Sequence, residues 1–361
     1  MRPGVLIVGN FLSSHGGSRG VCEELAPRLA DRHFPIVTTS NKRNRALRLA
    51  DMLSVIWNAR HDYQVAQVDV YSGPAFFWAE TAVRLLRLLG KPIVVTLHGG
   101  GLPEFASKHA RRVRSLLSDV ALVTVPSQYL LEQMSGYRSD LLLIPNAVDT
   151  SSYRFRVRRP LRPNLIWLRA FHAIYAPEIV PKVIASVKKN FSSVHVTMVG
   201  PDKGDGSLER TLAAADAGGI REHITVCGPV PKANVPAMLD EGDIFLNTAR
   251  FDNTPVSVVE AMAAGTCIVS TRVGGIPYLL SHEQDALLVP VDDFEAIATA
   301  VQRLLTDREL SSRLQSNAAQ KAANFDWNNV LPRWETLLTS VAQRGSVTKR
   351  KRAVQEGERL V

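Results

Sequence analysis

The sequence predicts two doubly wound parallel α/β domains, and three observations carry that prediction. Both halves alternate short β-branched runs with helical patterns, the signature of parallel sheets. Glycines stand directly after several of those runs, as at Val199-Gly200 and Cys227-Gly228. The chain has 361 residues and is 45% hydrophobic, enough for two cores, and no apolar run reaches membrane-spanning length.

In the first half the expected strands are Val5–Val8, Ile36–Thr39, Ala66–Tyr71, Ile93–Leu97, Ala121–Val125 and Leu141–Ile144. Helical stretches fill the gaps, such as Ala75–Leu89 after Gly73-Pro74, and Pro27 is expected to end or kink the helix that holds it. A polar, arginine-rich linker near Asp149–Arg162 leads to the second half. Its expected strands are Leu165–Leu168, His195–Val199, Ile224–Cys227, Ile244–Asn247, Cys267–Ser270 and Leu287–Val289. Helices are expected near Glu178–Lys189, Leu208–Ala217, Asn234–Asp240 and Phe294–Leu305. Ligands of such folds sit at the carboxyl ends of the strands, so the expected site is a cleft between two facing domains.

The segment Phe251–Gly265 has clean start and stop signals for a helix. Thr254 stands at the expected N-cap, Pro255 at the first helical position, and Gly265 at the left-handed turn that ends it. A strand then leads to Gly274-Gly275. The N–H groups at Asn253, Thr254, Val256 and Ser257, around Pro255, are expected to suit an anionic or hydroxyl-rich ligand. Asp252 and Glu260, eight residues apart, bracket that site. Two readings stay open from the residues alone: a ligand site, or an Asp252 that assists capping and a Glu260 paired with a distant arginine.

This segment resembles the family 4 glycosyltransferases of the GT-B fold, two Rossmann-like domains facing across a cleft. Their second domain carries an acidic residue, seven intervening residues, a glutamate, then A-M-A-x-G and a Gly-Gly turn. Here that reads Asp252, Glu260-Ala261-Met262-Ala263-Ala264-Gly265 and Gly274-Gly275, with Asp252 one methylene shorter than the family's usual Glu. The resemblance extends to Gly16-Gly17 after the first strand, to Thr96-Leu97-His98-Gly99-Gly100, to Ile144-Pro145-Asn146-Ala147-Val148-Asp149 and to Phe325-Asp326-Trp327. It also covers Leu168-Arg169, but the lysine that follows in the family is replaced by Ile174-Tyr175-Ala176-Pro177, leaving Lys232 or Arg19 as substitutes.

The resemblance implies a retaining transferase moving a sugar from a nucleoside-diphosphate sugar to a glycan, lipid-linked or small-molecule acceptor. The competing reading is a catalytically silent homologue that binds a glycan or nucleotide as a partner subunit. On the family pattern Glu260 meets the ribose hydroxyls. Asp252 with Asn253, Thr254, Pro255 and Val256 holds the sugar's outer hydroxyls. Gly16, Gly17, Arg169 and Lys232 meet the diphosphate, Gly200 and Gly228 admit the nucleotide, and His98 acts near the anomeric carbon as hydrogen-bond donor and charge stabiliser. His98 could otherwise cap a turn. No D-x-D motif occurs, which fits a site that needs neither metal nor other cofactor.

Charge is distributed unevenly. Residues 1–160 hold 21 Lys/Arg against 12 Asp/Glu, a net +9, whereas residues 161–361 hold 22 of each. A basic first half suits an acidic partner, an anionic membrane surface or a phosphorylated acceptor, and no nucleic-acid motif accompanies it. Clusters at Lys42-Arg43-Asn44-Arg45 and Arg111-Arg112-Val113-Arg114 are expected on helices, and Arg154–Arg159 adds four arginines. Cys22, Cys227 and Cys267 read as reduced core thiols of a cytoplasmic protein, one that could also sit peripherally on the inner face of a membrane. The expected domains are 1–155, 156–325, a helix at 326–345 crossing back to the first domain, and a flexible basic tail at 346–361.

Overall fold

The computed structural model of the chain describes residues 2–13 and 20–358, with 346–358 described by backbone alone. It divides into two compact units, Met1–Asn146 joined by the chain from Asn328 on, and Ala147–Trp327. The first unit runs β1 (Val5–Val8), α1 (Val21–Asp31), β2 (Ile36–Thr39), α2 (Arg45–Asn58), β3 (Val65–Val70), α3 (Pro74–Leu88), β4 (Ile93–Leu97), α4 (Leu102–Lys108), α5 (Ala110–Ser118), β5 (Leu122–Val125), α6 (Gln128–Met134) and β6 (Leu141–Leu143). The second runs β7 (Asn164–Leu168), α7 (Ile179–Lys188), β8 (His195–Val199), α8 (Ser207–Ala217), β9 (Ile224–Gly228), α9 (Val235–Glu241), β10 (Ile244–Asn247), α10 (Val256–Ala263), β11 (Cys267–Thr271), α11 (Ile276–Leu279), β12 (Leu287–Val289), α12 (Phe294–Thr306) and α13 (Arg308–Ala322). A last helix, α14 (Trp327–Glu358), returns to the first unit.

Each unit is built on one six-stranded parallel sheet, ordered β2-β1-β3-β4-β5-β6 and β12-β11-β10-β7-β8-β9. The central strands are mostly apolar because helices cover both faces; β1, β3, β4 and β10 are buried along their whole length. In the second unit two apolar clusters lie on either side of the sheet, one around Trp167 and Val183, the other around Phe245 and Met262. Register positions the first unit's polar residues: β3 pairs β4 with Asp69 opposite Thr96 and Val70 opposite Leu97.

Several local expectations are corrected. Helix α1 runs through Pro27; the ring removes only the bond to the Glu23 carbonyl, and buried Leu25, Ala26 and Leu29 hold both turns. Lys42 and Arg43 precede α2, whose N-cap is Asn44, its side chain accepting from Ala46 and Leu47 N–H. At α10 the N-cap is Pro255, not Thr254: the Pro255 backbone is extended and its carbonyl accepts from Val258 N (3.1 Å), so the helix opens at Val256. Gly265 ends α10 as expected, at φ 70°, with Thr266 N–H on Ala261 O and Gly265 N–H on Met262 O.

Cys22 and Cys267 are buried, but Cys227 is exposed, because β9 is the edge strand of its sheet. The arginines of the linker are not a free basic strip. Arg156 pairs with Asp240 (2.8 Å), Arg162 with Asp243 (2.9 Å), and Arg158 is 2% exposed between Asp240 and Asp243. The chain divides after Asn146, ahead of the position 155 expected. Trp327 and Trp334 are packing residues as expected. Helix α14 continues into the stretch expected as a tail, whose Lys, Arg, Gln and Glu are good helix formers. Among the described residues no helix is long and apolar enough to cross a membrane.

Candidate active site

In the second unit the strand order changes direction at β7: β8 lies on one side and β10 on the other. Such a switch point opens a crevice at the carboxyl ends of the two strands. Arg169 follows β7 directly, and the loop bearing Asp252 follows β10. The two side chains form an ion pair, and the Arg169 guanidinium lies over the Tyr175 ring, 4.7 Å from its centroid. Burial pushes that guanidinium down to about 10, opposed by Tyr175 and Glu260. Its Nε makes no hydrogen bond among the described residues. Arg169 is therefore a largely buried cation with donor capacity left for a ligand.

The Asp252 loop is clamped from both sides. A Cβ at Gly274 would stand 1.9 Å from the Asp252 carbonyl, and one at Gly275 1.9 Å from that of Asn253, so only glycine permits this approach. Gly275 N–H donates to Asp252 O (2.9 Å). On the other side Arg250 donates to Ala173 O (2.7 Å), pairs with Glu178 (2.9 Å) and Asp292 (2.8 Å), and its N–H meets Ile174 O (2.8 Å). Thr248 Oγ1 donates to Tyr175 O (2.6 Å) and accepts from Trp167 Nε1 (2.9 Å). The segment that replaces the family's lysine is thereby fixed beneath Arg169.

Glu260, in the second turn of α10, is 3% exposed and pairs with Lys232, whose side chain is half exposed. Of the two readings left open by the sequence, the pairing is real but its partner is this lysine. Ser257 Oγ, in the first turn of α10, is buried with no hydrogen bond among the described residues. First-turn N–H groups of a helix have no intrahelical acceptor. Two cations, two carboxylates and a helix N-terminus thus stand in one unit, an arrangement able to hold both phosphate and sugar hydroxyls.

At two of the predicted nucleotide contacts the backbone itself requires glycine. A Cβ at Gly200 (φ 151°) would meet Arg169 O at 1.8 Å, so its small size seats the backbone of β7. At Gly228 a Cβ meets nothing within 4 Å, and φ 60° alone favours glycine there. Gly16 and Gly17, with Arg19, lie outside the described residues.

In the first unit His98 follows β4 and is 4% exposed. Its Nε2 lies 3.0 Å from Asp69 Oδ1, its ring stacks on Tyr71 (5.1 Å, 21°), and its N–H donates to Val70 O. It does not cap a turn through its side chain. Gln67 Nε2 donates to Asp69 Oδ1 (2.7 Å) and Thr96 Oγ1 (2.9 Å). Burial would raise the Asp69 carboxyl, but His98, Gln67 and the Cys22 thiol overcome it and hold it below its usual range. Burial and the neighbouring Asp69 push the Cys22 thiol up. Asp69 was missed from the sequence; the signal was an acid inside the otherwise buried strand VAQVDV.

Residues 15–152 match the family model described as Glycosyltransferase Family 4, and residues 162–307 match the one described as Glycosyl transferases group 1. The chain belongs to the family 4 glycosyltransferases. This glycosyltransferase is 25% identical over 305 residues to a GDP-mannose-dependent alpha-(1-6)-phosphatidylinositol monomannoside mannosyltransferase of Mycobacterium tuberculosis, across 79% of this chain and 76% of that protein. It is 23% identical over 305 residues to a D-inositol 3-phosphate glycosyltransferase of Pseudarthrobacter chlorophenolicus, across 78% and 72%. Among solved structures, Anabaena HepE in complex with UDP superposes at TM-score 0.75 with 16% identity, over 93% of this chain and 100% of that one. The glycosyltransferase therefore has the GT-B fold.

Proposed function

We propose that this glycosyltransferase takes a sugar from a nucleoside-diphosphate sugar, with retention at the anomeric carbon and without a metal ion. The observation that carries the reading is the pairing at the switch point: Arg169 with Asp252 and Lys232 with Glu260, beside the N-terminus of α10. Each cation rests on a carboxylate that the donor's own groups can replace. The diphosphate takes Arg169, Lys232 and the first-turn amides. Glu260 receives the ribose hydroxyls and Asp252 those of the sugar. The relatives' names support the donor class, one naming GDP-mannose and one structure holding UDP.

In the retaining step the acceptor hydroxyl oxygen bonds the anomeric carbon on the face from which the diphosphate oxygen departs. The hydroxyl proton passes to that departing oxygen. Arg169, Lys232 and the helix dipole carry the charge that develops there, a preorganised cationic site in place of a metal. His98 assists as a charge stabiliser. With Nε2–H committed to Asp69, it donates from Nδ1 only as imidazolium. The acceptor is a glycan, a small molecule or a lipid-linked sugar. The basic first half supports an acceptor at an anionic surface on the cytoplasmic side, with Arg111 and Arg114 as exposed contributors. Arg112 is tied to Glu80 and Arg154–Arg159 belongs to the linker bound along the second unit, which narrows the basic face expected from sequence.

The test is a transfer assay with UDP-glucose and GDP-mannose against phosphatidylinositol, inositol phosphate and simple glycoside acceptors, in excess chelator. Proton NMR of the product reads its anomeric configuration. Retained product in chelator is expected. Inverted product would make the His98–Asp69 pair a base and overturn retention. Activity lost to chelator and restored by manganese or magnesium would overturn the metal-free site. Absence of both transfer and nucleotide binding would overturn the donor reading.

A further inference from the structure

Behind His98 lies a polar cluster buried in the first sheet, among strands made mostly of apolar side chains. Asp69 on β3 is 9% exposed, Gln67 and Thr96 are each 2%, and Thr124 is fully buried. Gln67 joins the two threonines to the carboxylate. Thr124 Oγ1 donates to Thr96 Oγ1 (2.9 Å), Gln67 Nε2 donates to both Thr96 Oγ1 (2.9 Å) and Asp69 Oδ1 (2.7 Å), and the chain ends at Asp69 Oδ1 against His98 Nε2 (3.0 Å). A carboxylate only accepts, and Gln67 fixes its orientation, so the nitrogen facing it carries the proton. The neutral imidazole then has its lone pair on Nδ1. No hydrogen bond to Nδ1 is made by the described residues. Stacking on Tyr71 at 21° fixes the ring plane.

We infer that Asp69 is a positioning residue of the transfer reaction: it holds His98 with Nε2 protonated and leaves Nδ1 as the only ring atom able to meet substrate. The inference rests on the proposed participation of His98. A purely structural polar cluster would need no particular tautomer. This one specifies a single tautomer, because the ring nitrogen and a fixed acceptor are matched across adjacent strands by the register that sets Asp69 opposite Thr96. Cys22 and Tyr71 complete the wall around the carboxylate, and burial, with the charges of Asp69 and Glu23, keeps both neutral.

The test begins with nitrogen-15 NMR of the full chain labelled at the histidine rings, the His98 signals being assigned by their loss in His98→Gln. Protonated Nε2 in the wild-type protein supports the inference, whether or not Nδ1 also carries a proton. A neutral ring protonated at Nδ1 overturns it, and this measurement needs no altered Asp69. Kinetics then compare Asp69→Asn, His98→Gln and the double variant, each checked for a native unfolding transition. Asp69→Asn should lower kcat roughly 10- to 100-fold, with KM for the sugar nucleotide within about 3-fold, the usual scale for losing a group that orients a catalytic one. In the double variant the Asp69 change should cost nothing beyond His98→Gln. An equal further loss on the His98→Gln background would make Asp69 merely structural and overturn the inference. A His98→Gln enzyme as fast as wild type would instead overturn the role of His98 itself, whatever the tautomer.

Discussion

Gly274→Ala is the sharpest perturbation this structure offers, because one methyl group acts on the reactive loop through backbone alone. The added Cβ would lie 1.9 Å from the Asp252 carbonyl oxygen, against an ordinary contact of 3.4 Å. Neither atom belongs to a flexible side chain, so the Asp252 loop or the turn must retreat by about 1.5 Å. Alanine at φ 51° adds backbone strain of about 1 kcal/mol. Destabilisation should thus be modest, about 1–3 kcal/mol, while catalysis suffers more. A displacement of about 1 Å at a positioned group can cost roughly 100-fold in rate. Glu260 sits on α10, inside the buried cluster with Met262, and keeps its place. Steady-state turnover should fall about 100-fold while calorimetric affinity for UDP or GDP, whichever binds, stays within about 3-fold. Gly136→Ala, where a Cβ meets nothing within 4 Å, is the control and should be silent. A folded Gly274→Ala enzyme turning over within 3-fold of wild type would refute the claim that this turn sets the position of Asp252 for transfer.

Glu260→Ala should weaken UDP or GDP binding, since two ribose hydroxyls lose a charged acceptor worth about 1.5–3 kcal/mol, or roughly 10- to 150-fold. Freed Lys232 opposes this by at most about 1 kcal/mol, because it is half exposed and screened; calorimetry showing unchanged or tighter binding would reverse the assignment. Asp205 accepts from the Ser207 hydroxyl and from Ala173 and Ser207 N–H, and these bonds hold its carboxyl at about 2 against an ordinary 3.8. Its folded-state value is depressed, so its contribution to stability is present above pH 3.8 and lost as pH falls through about 2; Asp205→Asn should flatten that limb of an acid-unfolding curve. Sedimentation with anionic vesicles should fall as salt rises, and charge reversal at Arg111 and Arg114 should reduce it while UDP or GDP binding persists; equal partitioning into neutral vesicles would return these arginines to ordinary surface charge.

The architecture was legible because parallel sheets covered on both faces write themselves as short apolar runs, and β1, β2, β4, β8, β10 and β12 appear at the residues expected. The glutamate motif was legible for the same local reason: α10, its glycine stop and the Gly-Gly turn are contiguous in the chain. What escaped were partners brought together by register or by long loops. Asp69 and His98 are 29 residues apart and meet only because β3 and β4 are neighbours. Lys232 reaches Glu260 across 28 residues, and Tyr175 meets Arg169 through a loop that Arg250 and Thr248 tie down. The linker arginines read as free charge because Asp240 and Asp243 lie about 80 residues downstream. Thr254 lost the cap to Pro255 by a single residue, which cap statistics do not resolve.

The return of α14 to the first unit bears on how the polypeptide is assembled during synthesis. Arg2 pairs with Glu335 at 2.8 Å, and Arg333 donates to the Leu143 carbonyl, so the opening strand's surroundings include residues translated more than three hundred positions later. The unit begun first on the ribosome is the last to be completed, whereas Ala147–Trp327 is contiguous and can close as soon as it emerges. Until Trp334, Leu337, Leu338 and Val341 arrive, the apolar surface they cover stands open to water and to chaperones. A chain truncated after Trp327 and released from the ribosome should therefore carry a protease-resistant second unit behind a still-sensitive first one.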